Sequence, residues 1–263
     1  MLLFDLGKLP GQQSMLIFHA LARMGVEALV IVSPQSLLVS IGYFTNAQKE
    51  VDLSYCAKAG IPVMRRELGG GVTYLDQNQI FYQLIWRKDR RDFPGTIQDI
   101  YGQFSEPCLE TYMAFGIDTE FQPVNDIVTK DGKKIAGEAG GDVGECMVFV
   151  GGILLDFNYE TMSRIFRSPD EEFRGKVYAA MEKYLTTMKR ELGTIPPRKD
   201  VVAVLKQEFE KRTGKLEPVS LTPEILGKMK QLELWMTSEE FLLKKTSRNP
   251  TGVKIKEGVE IPY

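Results

Sequence analysis

Met64-Arg65-Arg66-Glu67-Leu68-Gly69-Gly70-Gly71-Val72-Thr73-Tyr74-Leu75-Asp76 interrupts an otherwise regular chain. Three consecutive glycines weaken strand and helix alike. They suit a place where backbone bends sharply and lies close against a ligand. Backbone N–H groups freed by such a bend can hold a phosphate, and a nearby guanidinium can pair with it bidentately. A tight turn with two surface arginines is the plainer account, and this stretch alone leaves both open.

A second stretch lies further on: Val124-Asn125-Asp126-Ile127-Val128-Thr129-Lys130-Asp131-Gly132-Lys133-Lys134-Ile135-Ala136-Gly137-Glu138-Ala139. Two β-like runs joined by Lys130-Asp131-Gly132 predict an antiparallel pair. That pairing sets Asn125 and Asp126 across from Lys134. Side chains reverse face at each residue, so one of Lys133 and Lys134 points inward. A lysine facing a cleft is a fixed positive charge for a carboxylate and a developing phosphate. Taken alone, a hairpin with solvated lysines is the simpler account.

Around these stretches, β-like runs alternate with helical ones. Strands are predicted at 2–6, 28–32, 37–43, 63–66, 80–86, 124–129, 133–138 and 147–157. Helical spacing marks 13–24, 50–58 and 97–113, the last interrupted by Pro107. From about Asn158 the pattern is almost purely helical, as in Phe173, Val177, Met181, Tyr184, Leu185, Met188 and Leu192, with Gly193 as a stop. Thr222-Pro223-Glu224 and Ser238-Glu239-Glu240 read as helix starts. Pro250, Gly252, Gly258 and Pro262 suggest an extended tail. The organisation expected is a domain over 1–166, a helical region over 167–245, and a tail over 246–263.

Composition narrows the function classes. A formal net charge of −2 gives no general electrostatic grip on nucleic acid or anionic membrane. No apolar run approaches the roughly 20 residues a bilayer span needs. Met1–Asp5 reaches an acid at once, which argues against a signal peptide. A soluble cytoplasmic protein is expected. Cys56, Cys108 and Cys146 are odd in number and widely spaced, fitting neither a disulfide framework nor a metal site. His19 is the sole histidine and lies on an apolar helical stripe with Met15, Leu16, Phe18 and Ala22, which favours a structural role. Catalysis that needs several histidines is therefore excluded.

Taken together, Arg65-Arg66-x-x-Gly69-Gly70-Gly71, then Asn125-Asp126, then Gly132-Lys133-Lys134-Ile135-Ala136-Gly137, resemble the lipoate–protein ligase family in order, spacing and residue type. Ser40–Gln48 looks like that family's segment before the glycine motif, and Ser168–Lys176 is similar to the segment leading out of its catalytic domain. The resemblance covers roughly residues 1–180. It implies an α+β fold of the biotin ligase and class II synthetase type, with a mixed, mostly antiparallel sheet followed by a helical C-terminal region. It implies that lipoate attacks the α-phosphate of ATP, and that the lipoyl group then passes to a lysine of a lipoyl carrier, a glycine-cleavage H-like protein or a dehydrogenase lipoyl domain. Some relatives depend on a separate accessory subunit. Charge neutralisation and alignment suffice for such a reaction, so no protein nucleophile is required.

By the same resemblance, Lys134 contacts the reacting carbonyl and phosphate. Gly69, Gly70 and Gly71 line the adenylate, led into by Arg65 and Arg66, with Asp76 closing the motif. Asn125 and Asp126 lie near the nucleotide, where Asp126 is a candidate ligand for Mg²⁺. Gly137 and Ala139 supply close backbone, and Val72, Tyr74 and Ile41 are candidates for an apolar slot.

The family pattern is not matched everywhere. Leu75 and Val150 stand where it commonly has histidine, and Gly140-Gly141 where a basic residue is common. Backbone N–H groups at these glycines are a possible substitute. Three other readings compete. An octanoyl or lipoyl transferase of the same fold would use a nucleophilic cysteine, but none lies between Gly116 and Lys130, and Cys146 reads as a core residue. A non-catalytic lipoate or lipoyl-carrier binder is the second. A biotin ligase is weaker, because its loop alternates glycine with arginine.

Overall fold

Apolar alternation becomes strand and three-to-four spacing becomes helix along residues 1–263 of the computed structural model, giving thirteen strands and eleven helices. The first part runs β1 (Leu2–Leu9), α1 (Gly11–Arg23), β2 (Ala28–Pro34), β3 (Leu38–Ile41), α2 (Ala47–Glu50), α3 (Leu53–Lys58), β4 (Val63–Arg65), β5 (Val72–Leu75) and β6 (Gln79–Arg87). The middle runs α4 (Ile97–Phe104), α5 (Glu106–Ala114), β7 (Thr119–Gln122), β8 (Asp126–Thr129), β9 (Lys134–Val143) and β10 (Cys146–Leu154). The last part holds α6 (Tyr159–Ile165), α7 (Glu171–Tyr184), α8 (Met188–Leu192), α9 (Arg198–Thr213), β11 (Glu217–Pro218), α10 (Pro223–Met236), α11 (Glu239–Leu242), β12 (Gly252–Lys256) and β13 (Val259–Pro262).

Eight strands form one mixed sheet in the order β11-β1-β2-β6-β10-β9-β8-β7. The β11–β1 and β1–β2 pairs are parallel and the others antiparallel. A smaller sheet, β4-β3-β5, carries the glycine stretch between β4 and β5. The break expected at Pro107 is present: α4 ends at Phe104, and Pro107 sits in the first turn of α5, where its missing N–H costs nothing.

Strand β6 shows how the sheet divides the interior. Ile80, Tyr82, Leu84 and Trp86 point into a core made with α4, α5 and α9. Phe81 and Ile85 face the other way, toward α1 and α10. Helix α1 buries Leu16, Ile17, Phe18, Leu21 and most of its remaining surface, because the sheet covers one side and α10 the other. A third core joins the small sheet to α6, α7 and β12.

Two features differ from the sequence reading. The boundary at residue 166 does not separate cores. Val201, Leu205 and Phe209 of α9 complete the first core, Ile225, Met229 and Leu232 of α10 complete the second, and β11 pairs with β1. The helical region 167–245 thus buries its stripes against the sheet. The tail 246–263 is not simply extended either: β12 and β13 form a hairpin turning at Gly258, which has φ +77°. No helix is long and apolar enough to cross a membrane.

Candidate active site

The glycine loop is held from within. Arg66 is buried, and its guanidinium donates to the carbonyls of Gly69 at 2.7 Å, Ser40 at 3.0 Å and Gly71 at 3.2 Å. The Gly70 carbonyl accepts from the Thr45 hydroxyl at 3.2 Å, and the Leu68 carbonyl from the Tyr43 N–H at 2.9 Å. Four successive carbonyls therefore turn inward, while the N–H groups of Gly69, Gly70 and Gly71 have no partner in the chain. Successive free amides of this kind are the donors from which an anion-binding concavity is built. Gly70 has φ +96°, and a Cβ on Gly42 would lie 2.1 Å from the Gly70 oxygen. Only glycine fits where these two backbones cross.

The two arginines part here: Arg66 braces the loop and lines the cavity, whereas Arg65, also expected at the adenylate, does not line it. Arg65 lies away from the cavity. It donates to the carbonyls of Gly42, Tyr43, Thr45, Phe241 and Leu242 at 2.6–3.1 Å. Burial lowers both guanidinium pKa values, to about 10 for Arg66, whose Nη1 also reaches the hydroxyls of Ser40 at 3.2 Å and Thr73 at 3.4 Å.

The second stretch forms as the sequence predicts, with Gly132 at φ +73° in the β8–β9 turn. A bulge between Ile127 and Val128 shifts the register: Lys134 sits opposite Val128, and Asp126 opposite Gly137. The Lys134 ammonium reaches back along the hairpin to Asp126 Oδ1 at 2.7 Å. Its stem crosses Gly137, where a Cβ would stand 3.1 Å from both Cε and Nζ of Lys134. Glycine at 137 is what lets the ammonium lie there. The Asn125 side-chain amide donates to the Glu138 carbonyl at 2.6 Å and ties the two strands together.

Lys134, Asp126, Asn125, Gly137, Ala139, Gly70, Gly71, Val72 and Tyr74 all line one cavity of about 370 Å³. The two stretches quoted above meet there. Toward α1 the wall is Met15, Phe18, Leu75, Phe81 and Val150; toward α6 and α7 it is Phe157, Met162, Phe166 and Met181. Leu75 and Val150, at the two positions where histidine was expected, thus make this wall apolar.

Several expected residues lie elsewhere. Gly69 belongs to the loop but not to the cavity wall, and Ile41 is packed in the third core. Asp76 is outside the cavity: it accepts from the Tyr74 hydroxyl at 3.1 Å and the Asn78 N–H at 2.8 Å, and so shapes the β5–β6 turn. Gly140 and Gly141 do not line the cavity either. The Gly140 N–H donates to the Tyr101 hydroxyl, and a Cβ on Gly141 would meet Leu68 at 3.3 Å. Asp126 does not fit a Mg²⁺ site, since Lys134 takes one oxygen and the Glu257 N–H the other at 2.8 Å. No group of three His, Cys, Asp or Glu residues could hold a metal ion.

The sequence reading missed the hairpin that closes the cavity. Lys254, Ile255 and Lys256 of β12, with Arg248 and Tyr263, form part of its wall. Lys256 donates to Gln122 at 3.0 Å, and Arg248 pairs with Glu50 at 3.3 Å. Alternating Val253-Lys254-Ile255-Lys256 was the available strand signal, masked by the glycines and prolines around it.

His19 and the cysteines stand apart from this chemistry. His19 Nδ1 is 2.9 Å from the Met15 carbonyl, and Nε2 accepts from the Glu67 N–H at 3.1 Å, so the ring is neutral with its proton on Nδ1. Burial lowers its pKa to about 3. Cys108, Cys146 and Cys56 each sit in a different core. Burial pushes all three thiols up, Cys56 to about 11.

Residues 15–210 match the family model of the lipoyl protein ligase A/B catalytic domain. The chain belongs to that family. Among its relatives is lipoate-protein ligase A subunit 1 of Thermoplasma acidophilum, 29% identical over 148 residues, which are 53% of this chain and 55% of that protein. This chain thus spans about half the length of the Thermoplasma relative. Octanoyltransferase LipM of Staphylococcus aureus is 26% identical over 236 residues, 79% of this chain and 83% of that one.

Solved structures share the α+β fold. A bi-partite lipoate protein ligase of T. acidophilum, studied with its E2 lipoyl domain, has a TM-score of 0.81 at 24% identity, covering 94% of this chain and 98% of that one. A lipoate-protein ligase A bound with ATP has a TM-score of 0.76 at 21% identity, over 92% and 98%. The named relatives of this family thus include both a ligase and a transferase.

Proposed function

We propose that this family member is a lipoate–protein ligase: it joins lipoate to ATP as lipoyl-adenylate and passes the lipoyl group to a lysine of a lipoyl carrier domain. One observation carries the choice of ligase over transferase. One cavity wall carries Lys134, its ammonium fixed by Asp126, together with Gly70 and Gly71 of the loop, while all three thiols lie in the cores. A transferase working through an acyl-cysteine needs a thiolate at the acyl carbon. Here burial disfavours each thiolate, and none lines the cavity.

The chemistry needs two anions brought together. A carboxylate oxygen forms a bond to the α-phosphorus as the α–β bridging bond breaks, and pyrophosphate leaves with the electron pair. Lys134 neutralises charge between carboxylate and phosphate, held in place by Asp126 and the smooth floor at Gly137. The acyl tail lies toward α1 among Phe18, Phe81 and Val150, and the nucleotide lies under the hairpin near Lys254 and Lys256. Mg²⁺ arrives as the counter-ion of ATP, and no side chain is assigned to it. In the second half, the neutral amine of a carrier lysine attacks the acyl carbon and AMP departs. The carrier lysine and a separate accessory subunit are part of the same proposal, supported by the Thermoplasma system's description as bi-partite and by its lipoyl domain.

The test is mass spectrometry of a lipoyl domain incubated with the protein, ATP, Mg²⁺ and lipoate, with and without the accessory subunit where the genome supplies one. A lipoyl mass increment that requires ATP is expected. Lys134→Ala should lower its rate at least 10²-fold, the order seen when one charge-stabilising group is removed, while circular dichroism stays unchanged. Modification from octanoyl thioester without ATP, with an acyl adduct on a cysteine, would favour the transferase instead.

A further inference from the structure

Asp126 binds the Lys134 ammonium more firmly than positioning alone requires. Asp126 is 1% exposed and both its oxygens are used: Oδ1 accepts from Lys134 at 2.7 Å, and Oδ2 from the Glu257 N–H at 2.8 Å. Turning away from Lys134 would break the hairpin's anchor as well. Lys134 is fixed at its other end too, where its carbonyl accepts the Thr186 N–H at 2.8 Å. The other two lysines of the cavity wall belong to the hairpin, Lys254 against Glu257 and Lys256 on Gln122.

A lysine so placed is a chemical liability. A nitrogen hydrogen-bonded to a carboxyl oxygen stands about 3–4 Å from the carboxyl carbon, close to the separation at which two atoms react. Once that carbon carries AMP, a neutral amine beside it would attack, form an amide and expel AMP. The amine's surplus proton would pass to water. A nucleophile held in line acts at an effective concentration of about 10⁵ M or more, far above that of any carrier lysine. An ammonium has no lone pair and cannot attack. The outcome therefore turns on one proton at Nζ, and the carboxylate touching Nζ is that of Asp126. An opposite charge at this range favours the charged form of a lysine.

We infer that Asp126 is a positioning residue that keeps Lys134 from being acylated by the enzyme's own adenylate, leaving the acyl group for the carrier. Without that carboxylate, Lys134 becomes a self-modification site. The inference rests on the proposed position of the acyl carbon at Lys134, but not on how the adenylate is made.

Chemically prepared lipoyl-adenylate tests it, added to the full chain without ATP or carrier, with peptide mass spectrometry locating each lipoyl amide. The wild type should leave Lys134 unmodified while exposed lysines slowly react. Asp126→Asn keeps the size and an acceptor for the Glu257 N–H but loses the charge. It should gain a lipoyl amide at Lys134 about tenfold faster than the wild type, or more. Asp126→Glu, which restores a carboxylate, should suppress that amide again. Lys134 modified in the wild type as readily as the exposed lysines overturns the inference, whichever variants fold. So does an Asp126→Asn chain with native circular dichroism whose Lys134 stays unmodified; ATP-dependent transfer by the wild type would then leave the ligase proposal standing. An amide at Lys134 of the variant, with no ATP-dependent transfer by the wild type, removes the ligase proposal alone. A wild type that neither binds the adenylate nor passes its acyl group to a lipoyl domain counts against both.

Discussion

Glu138 shows what one buried group does behind the cavity. Its carboxyl faces away from Lys134, into the first core, and accepts from the hydroxyls of Tyr82 and Ser105. A Cβ on Gly151 would strike the Tyr82 hydroxyl at 2.2 Å, so that glycine makes room for the network. Burial pushes the Glu138 pKa from 4.5 to about 8, so the folded chain holds a proton there that the unfolded chain releases. The sign follows: this group's contribution is full below about pH 4.5 and declines as pH rises to about 8. Glu138→Gln cannot ionise and keeps an acceptor. Melting curves at pH 5 and pH 8.5 should show the parent losing several degrees relative to Glu138→Gln at the higher pH, by the usual conversion of stability to Tm. Parallel profiles would mean that Glu138 is ionised in the fold. The sequence presents Glu138 as one more residue of a hairpin. Nothing in its neighbours reveals that Tyr82, 56 positions away, encloses it.

Among the elements, the β12–β13 hairpin matters most for the site, and it forms from the segment the sequence described least well. Its apolar face, Val253 and Ile255, packs in the third core, and its cationic face closes the cavity. Asp126 accepts the Glu257 N–H, so the carboxylate that fixes Lys134 also anchors the hairpin. Removing residues 249–263 should leave the two cores of the large sheet intact, since neither draws on the hairpin. We expect native-like circular dichroism with ATP–pyrophosphate exchange lowered at least tenfold. Lys254→Ala with Lys256→Ala, which keeps the hairpin, should weaken exchange through ATP affinity. Full exchange in the double variant would place the nucleotide elsewhere.

At the scale of the whole molecule, Arg65 joins parts that lie far apart in sequence. A single buried guanidinium bonds the crossing at Gly42–Thr45 to the end of α11 at Phe241 and Leu242. Arg65→Met keeps volume but leaves five carbonyls without their donor. By the worth of hydrogen bonds to a charged group, the expected loss is about 3 kcal/mol, which is roughly 10 °C of Tm for a chain of this size. Urea unfolding should remain a single transition, because the three cores share strands and helices from both sides of residue 166. A separate early transition for residues 167–245 would restore the idea of an independent lobe.

Local pattern determined the order of the main strands and helices, the bend at Gly69–Gly71, the turn at Lys130–Gly132 and that one of Lys133 and Lys134 points inward, with the family resemblance choosing Lys134. These depend on side-chain alternation and backbone freedom within a few residues, which the amino-acid order carries directly. Only tertiary structure decided that Arg65 serves the backbone away from the cavity while Arg66 lines it, and that Asp126 holds both Lys134 and the hairpin. Each of those outcomes depends on which distant carbonyl or ammonium arrives within about 3 Å, the range where a hydrogen bond forms. Partners separated by up to 177 positions meet only when the sheet is assembled, so a charged residue's local neighbours cannot show whether it meets a ligand or the chain itself.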